Sequence, residues 1–226
     1  MKKLILNFDS KDSKKIKNPK NFLGGKGANL SEMGRMGLPV PPGFTISTKV
    51  CEIFYKDKKK LNKNLISQIK KELKLIEKDV SKKFGDLKNP LLLSVRSGAR
   101  VSMPGMMDTI LNLGLNDKTV KALAIKTSNG RFAKDSYRRF IQMYGNVVMG
   151  VEGYHFEELI ENYKLTKGVL LDTDLDESDW DGLIEDFKRT VREKAKKDFP
   201  QDVYEQLLGA ISAVFLSWES NRAKVY

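Results

Sequence analysis

The pattern of apolar residues changes near residue 115, and this change constrains the fold more than any other feature of the chain. Before it, short apolar runs at residues 3–8, 43–47 and 91–95 are separated by glycine and proline, a pattern typical of strands. The run at 91–95 is of the type found in buried strands. After residue 115, apolar residues recur every three or four positions over long stretches, which predicts amphipathic helices. The chain is therefore predicted to be α+β.

The predicted elements divide the chain into two parts. Residues 1–115 together with 201–226 are expected to form an α/β subdomain, and residues 116–200 a helical insert. Residues 9–21 are polar and rich in lysine, which favours a surface loop or a hairpin. Helices are predicted at residues 28–37, after a cap at Ser47 or Thr48, and at 61–84, 116–126, 132–149, 157–163, 178–197 and 203–218. Ser178 is the expected cap of the helix that it begins.

The charge of the chain is large but unevenly placed. Lysine and arginine number 41 against 29 acids, a net charge of +12. Residues 1–20 and 51–90 are basic through lysine and offer no stacking platform, whereas nucleic-acid binders usually cluster arginine with stacking side chains. Residues 151–190 are acidic, and we interpret them as a solvated face with no role in binding magnesium. Nucleic acid is therefore not an expected partner.

Cysteine and histidine each occur once, as Cys51 and His155. An intramolecular disulfide and a two-histidine metal centre within this chain are thereby excluded, and no metal ligands are predicted in it. Cys51 is expected to be a buried small residue and His155 a surface or helix-start residue. No apolar run approaches the roughly 20 residues that cross a bilayer, and the first residues are too weakly apolar for a secretory signal. We expect a cytoplasmic protein with no membrane partner.

The first segment that can carry chemistry is a glycine-rich turn around Lys26, formed by Gly24, Gly25 and Gly27. Glycine lets backbone amides approach an anion, a following helix contributes its dipole, and lysine supplies a positive charge. The turn matches neither the Walker pattern nor the dinucleotide-binding pattern. The residues alone leave two possibilities, a phosphate site or a simple helix start.

The second segment follows the apolar run at 91–95. Arg96 comes directly after this run, at the kind of strand end where α/β folds bind ligands. Arg100 lies four residues further on, with small residues between the two, so both guanidinium groups could bind a polyanion. Pairing of the two arginines with carboxylates such as Asp108 is the alternative, and the pattern does not decide between them.

Long stretches of the chain resemble one family of enzymes, and together they extend over nearly its whole length. The resemblance is carried by LGGKGANLSEM at 23–33, SVRSGARVSMPGMMDTILNLGLN at 94–116, RFAKDSYRRFIQMYGNVVMGV at 131–151 and AVFLSWESNRAKVY at 213–226. The sequence is identified on these segments as resembling the pyruvate, phosphate dikinase family. The Met103–Asp108 run resembles this branch more than the related phosphoenolpyruvate synthases.

The resemblance implies a fold, an activity and a set of site residues. The chain would be part of an ATP-grasp nucleotide-binding domain with a helical insert. Enzymes of the family interconvert ATP, phosphate and pyruvate with AMP, pyrophosphate and phosphoenolpyruvate through a phosphohistidine on a mobile domain. Lys26 and Arg96 match the residues that contact the nucleotide phosphates and take the catalytic roles. The remaining candidates for nucleotide binding are Gly24, Gly25, Gly27, Arg100, Met103 and Asp108.

The family pattern also extends beyond Tyr226, so we expect this chain to be a portion of a longer enzyme. The acidic Mg²⁺ ligands, the phosphohistidine domain and a homodimeric assembly would belong to the whole enzyme. His155 lacks the Thr-Ser-His setting of the phosphorylated histidine. Alternatives are a catalytically silent nucleotide-binding fragment, a dikinase like phosphoenolpyruvate synthase and, remotely, a basic nucleic-acid-binding protein.

Overall fold

The computed structural model describes residues 3–8, 13, 15–98 and 109–219. Its strands are β1 (Ile5–Asn7), β2 (Phe44–Ile46), β3 (Lys83–Phe84), β4 (Pro90–Leu91), β5 (Leu93–Arg96) and β6 (Thr109–Leu113). Its helices are α1 (Pro19–Arg35), α2 (Thr48–Lys56), α3 (Lys63–Asp79), α4 (Thr119–Thr127), α5 (Gly130–Val147), α6 (Tyr154–Lys167), α7 (Glu177–Ala195) and α8 (Val203–Ser217). The mixture of helices with small sheets confirms the α+β prediction.

The chain divides into two compact units. The first contains residues 1–81, 96–108 and 214–226, and the second contains residues 82–95 and 109–213. The division predicted from the sequence, at residues 115 and 201, stays a prediction about subdomains. Within the described ranges, no helix combines the length and the apolar character needed to cross a membrane.

In the first unit, β1 and β2 pair antiparallel, with Ile5 opposite Ile46 and Asn7 opposite Phe44. Helix α3 packs on β1, and α1 packs on α2 and β2. The apolar face of α3 is buried as its spacing predicts, and Asn62 caps the helix by accepting a hydrogen bond from the backbone N–H of Leu65. These contacts fix the sheet beneath α1.

In the second unit, α5 is the central helix and packs on α4, α7 and β6. Its buried aromatic residues meet Phe199 edge to face, at centroid distances of 5.5 Å from Phe140 and 5.6 Å from Tyr144. Gln206 of α8 is fully buried; its side chain accepts a hydrogen bond from the Gly114 N–H and donates to the carbonyls of Leu115 and Pro200. This side chain therefore satisfies backbone groups that the loop after β6 would otherwise leave buried without partners.

Two predicted element boundaries in the first half of the chain are wrong. Helix α1 begins at Pro19, where a surface loop or a hairpin is predicted, because proline at the first helical position suits a helix start. The helix predicted over 61–84 ends at Asp79, since Ser81 adopts a left-handed φ of +52°. Phe84 continues the helical spacing but lies in β3, opposite Leu91 of β4.

Two further predictions require correction. The single buried strand predicted over 91–95 is two strands, and β5 is only half-buried: Leu93 and Val95 are partly covered, whereas Ser94 and Arg96 are exposed. The cap of α7 is Asp176 and not Ser178, because the Asp176 carboxylate accepts hydrogen bonds from the N–H groups of Ser178 and Asp179. The first turn of that helix contains two acidic residues, Glu177 and Asp179.

Candidate functional site

The glycine-rich turn lies inside α1, at a break between two helical segments. Gly24 has φ +72° and ψ 170°, far from helical values, although helix continues on both sides. This region of backbone conformation is essentially restricted to glycine. A new helical segment therefore begins at Gly25, and the first N–H groups of a helical segment have no partner within it. Together with the helix dipole, such N–H groups favour an anion at this position.

The turn packs directly against the chain that follows β5. A Cβ atom built on Gly24 would lie 1.6 Å from the carbonyl oxygen of Gly98, so the two backbones are as close as glycine permits. A Cβ on Gly98 would in turn lie 3.8 Å from Cβ of Lys26 and 3.9 Å from the backbone nitrogen of Gly27. The structure therefore brings together the two segments that the sequence singles out.

The glycines of the turn have different surroundings. Gly24 and Gly27 are buried, Gly25 is half-buried and the side chain of Lys26 is exposed. A Cβ on Gly27 would lie 2.7 Å from Cγ2 and 2.8 Å from Oγ1 of Thr45 on β2. The small size of Gly27 is thus required for helix–strand packing, a role that the pattern alone does not reveal. Lys26 is left free to extend toward solvent and an incoming anion.

Buried apolar side chains on both sides of the glycine-rich turn hold it in place. Leu23 immediately precedes Gly24, and Ala28 follows the last glycine; both are buried with Leu6 of β1 in one cluster. Ile16 and Phe22 pack against this cluster and are partly buried. The break at Gly24 is therefore anchored on both sides, which holds its N–H groups in a defined direction.

Arg96 is the last residue of β5 and is exposed, two residues before Gly98. Arg96 thus ends a strand shortly before the contact between Gly98 and the turn, and its role in binding phosphate stays a prediction. Arg100, Met103 and Asp108 lie outside the described residues, so their roles, and the alternative pairing of the arginines with Asp108, stay predictions.

The structure adds a contact that sequence reasoning missed. The indole Nε1–H of Trp218, just beyond the end of α8, donates a hydrogen bond of 3.0 Å to Oγ of Ser97. Ser97 is 2% exposed and stands between Arg96 and Gly98. No local pattern signals this pairing, because 121 positions separate the two residues.

The excess positive charge of the chain belongs to the unit that carries this turn. The ranges of the first unit contain 23 lysines and arginines against 10 acids, whereas those of the second unit contain 18 against 19. Clustered positive charge raises the local concentration of anions and speeds their association. The long-range field of the first unit thus favours an anionic ligand.

The single cysteine and the single histidine of the sequence lie in α2 and α6. Cys51 is buried, as predicted, and burial, followed by the nearby Glu219 and Glu52, raises the pKa of its thiol to about 11. A thiol of this kind is a poor nucleophile. His155 occupies the first turn of α6, as predicted, and its ring stacks on Tyr154 with the centroids 4.0 Å apart.

The acidic stretch of the helical unit is held in ion pairs. The Lys134 ammonium lies 2.9 Å from a carboxylate oxygen of Glu177 and also contacts Asp181. The Arg138 guanidinium lies 3.2 Å from a carboxylate oxygen of Asp172. The Lys167 ammonium lies 2.6 Å from a carboxylate oxygen of Asp176 and also contacts Asp179. In the part of the chain that the structure describes, no group of three or more histidine, cysteine or acidic side chains is arranged to hold a metal ion.

Comparison with known proteins identifies the family. The family model described as "Pyruvate phosphate dikinase, AMP/ATP-binding domain" matches residues 20–71 and 58–226, two overlapping segments. The chain belongs to this family. The resemblance drawn from the sequence motifs is thereby confirmed, and the matched segments contain the glycine-rich turn, Arg96 and Trp218.

Relatives of the family match nearly all of this chain. It is 53% identical over 208 residues to the pyruvate, phosphate dikinase of Clostridium symbiosum. The aligned residues make up 92% of this chain and 24% of that protein. Identity to the chloroplastic pyruvate, phosphate dikinase of Flaveria pringlei is 52% over 225 residues, which are 100% of this chain and 23% of that protein. Identity to the pyruvate, phosphate dikinase of Rhizobium meliloti is 48% over 226 residues, which are 100% of this chain and 25% of that protein. The chain spans about a quarter of the length of these relatives.

Proposed function

We propose that this chain is the nucleotide-binding portion of a pyruvate, phosphate dikinase, in which Lys26 and Arg96 bind the phosphates of ATP. The observation that carries the proposal is the close approach of the glycine-rich turn to Gly98, which brings Lys26 next to the segment that follows Arg96. Membership in an AMP/ATP-binding domain family supports the choice of an adenine nucleotide as the anion.

The proposed site suits the chemistry of phosphoryl transfer. That reaction depends on positioning and on neutralisation of charge more than on covalent participation by the protein. The N–H groups after Gly24 donate hydrogen bonds to phosphate oxygens, Lys26 adds a mobile positive charge, and the Arg96 guanidinium adds a planar set of donors. Together they hold the polyphosphate while a phosphoryl group is transferred to a histidine carrier.

The full reaction requires parts of the enzyme other than this chain. ATP and phosphate phosphorylate the histidine carrier and release AMP and pyrophosphate, and the carrier then converts pyruvate to phosphoenolpyruvate. The resemblance implies that the carboxylates that hold Mg²⁺ belong to another part of the enzyme. The phosphohistidine domain is therefore the expected partner of this portion.

Finer features of the proposal follow the resemblance. The nucleotide-binding domain takes the ATP-grasp fold, and Arg100, Met103 and Asp108 lie beside the nucleotide. The enzyme is cytoplasmic and homodimeric, and neither nucleic acid nor membrane is a partner. The field of the first unit serves to attract the nucleotide.

Replacement of the two proposed phosphate ligands tests the function. In the full-length enzyme, Lys26→Ala and Arg96→Ala should each slow ATP-dependent phosphorylation of the histidine by about 100-fold, since each removes a charge stabilising the transferred phosphoryl group. Lys74→Ala and Arg35→Ala are matched controls, because both side chains are exposed elsewhere on the first unit. The exchange of pyruvate with phosphoenolpyruvate should stay unchanged in all four variants. Phosphorylation at the wild-type rate in both Lys26→Ala and Arg96→Ala would refute the assignment.

A second candidate follows from the share of the relatives that the chain covers. The 226 residues by themselves would bind adenine nucleotide weakly and catalyse nothing, because they span about a quarter of the relatives. Calorimetry with Mg-ATP measures the binding, and release of AMP and pyrophosphate measures turnover. Turnover by the 226 residues alone would exclude this candidate.

A further inference from the structure

The hydrogen bond between Trp218 and Ser97 lies near the turn and has no part in the proposed function. Its geometry is good, with 3.0 Å between Nε1 and Oγ, and the serine is buried. An indole N–H can only donate, so the serine oxygen is the acceptor. The bond therefore fixes the orientation of Ser97 within the protein.

Ser97 stands between two groups that belong to the proposed site. Arg96, on one side, is exposed, whereas Ser97 is buried, as expected where successive side chains of an extended chain point in opposite directions. Gly98, on the other side, places its carbonyl oxygen in close contact with Gly24 of the turn. Any movement of Ser97 would displace both neighbours, because they are joined to it by planar peptide units.

The end of α8, just before Trp218, is held in place by contacts with α2. Three residues earlier, the carbonyl of Phe215 accepts a hydrogen bond of 2.9 Å from the phenol of Tyr55 on α2. The ring of Phe215 packs on Phe54, with the centroids 5.3 Å apart. Burial, with smaller contributions from Glu219 and Cys51, raises the pKa of Tyr55 to about 12, so its hydroxyl stays a donor at neutral pH.

We infer that Trp218 is a positioning residue for nucleotide binding, which acts through Ser97 to hold Arg96 and the Gly98 carbonyl in register with the glycine-rich turn. The inference rests on the proposed function. Groups that bind a transferring phosphate must be held within about 0.5 Å of their productive positions, and such precision comes from the residues behind them. Trp218 contacts no nucleotide in this arrangement.

The test removes each partner of the hydrogen bond separately and together in the full-length enzyme. Trp218→Phe keeps an aromatic ring but removes the N–H, and Ser97→Ala removes the acceptor. Each should raise the KM for ATP about fivefold, the effect of one net hydrogen bond, with a smaller change in kcat. The double variant should resemble either single variant, because both lose the same bond.

Trp180→Phe is the matched control for loss of an indole N–H. Trp180 is buried in the second unit, and its Nε1–H has no hydrogen-bond partner among the described residues. The control should leave the KM for ATP unchanged. The exchange of pyruvate with phosphoenolpyruvate should be unaffected in Trp218→Phe and Ser97→Ala, whereas general loss of folded protein would lower both reactions.

The outcomes separate this inference from the proposed function. A wild-type KM for ATP in Trp218→Phe and Ser97→Ala, with Lys26→Ala impaired, overturns the inference and leaves the function intact. Multiplication of the two effects in the double variant, to about 25-fold, also overturns it, because the residues would then act independently. Unimpaired phosphorylation in both Lys26→Ala and Arg96→Ala overturns the function itself.

Discussion

Replacement of Gly24 by alanine tests whether the close approach of the two segments stabilises the first unit. The added methyl group would lie 1.6 Å from the carbonyl oxygen of Gly98. Contacts of a Cβ atom below about 3 Å do not persist in folded proteins, since dispersion attraction has its optimum near 3.5–4.0 Å. Because the obstacle is backbone, rotation of a side chain cannot relieve the overlap, and the chain after β5 must move away from the turn.

The expected cost has two parts. Alanine at φ +72° and ψ 170° costs about 1–3 kcal/mol in backbone strain. Forcing extra volume into a packed position adds about 1–3 kcal/mol. A total near 4 kcal/mol corresponds to a decrease of roughly 12 °C in Tm for a chain of this length.

Gly37→Ala is the matched control. Gly37 also has a positive φ, +76°, but a Cβ built on it meets nothing within 4 Å. It should therefore cost about 1 kcal/mol through the backbone alone, or roughly 3 °C in Tm. Thermal unfolding followed by circular dichroism measures both variants, and the difference between them reports the steric contact together with any extra backbone strain at Gly24.

The functional consequence can be measured on the same variants. Gly24→Ala should weaken ATP binding by the full-length enzyme at a temperature where it remains folded, whereas Gly37→Ala should not. Equal Tm values for the two variants would show that the turn and Gly98 are not in contact, and the proposed arrangement of the phosphate site would then be wrong.

Three further predictions concern stability and reactivity. Gln206→Leu should lower the free energy of unfolding by about 3 kcal/mol in a urea titration, because three buried backbone groups lose their partner. Gln68→Leu should change it little, because Gln68 of α3 is only half-buried and its side-chain hydrogen bond, to Asn64, is exposed to solvent. The Lys167 hydrogen bond and the N–H groups at the start of α7 lower the pKa of Asp176 from 3.8 to about 2. The stability that its charge contributes is present above pH 3.8 and is lost as the pH falls toward about 2, so wild type and Asp176→Asn should converge in acid unfolding. Cys51 should react with a thiol reagent at pH 8 only as fast as the protein unfolds, and rapid labelling would contradict its burial.

Local sequence patterns predicted much of the fold because they report directly on burial. The spacing of apolar residues indicated α3, α5 and α8, and alternation indicated β2. Their ends were less predictable: Ser81 stops α3 through its backbone conformation, and Asp176 replaces Ser178 as a cap. Both boundaries depend on which backbone N–H groups find acceptors, and several nearby residues are chemically able to satisfy them.

The sequence by itself determined the α+β class, the glycine-rich turn with Lys26 and the arginine after the apolar run, because glycine, lysine and arginine carry their chemistry within a few positions. Only the tertiary structure decided that Gly24 touches Gly98, that Gly27 makes room for Thr45 and that Trp218 holds Ser97. These contacts join residues far apart in the chain, and their selection depends on shape and on the pairing of buried polar groups. No local pattern encodes either property, so these contacts become visible only when the chain is folded.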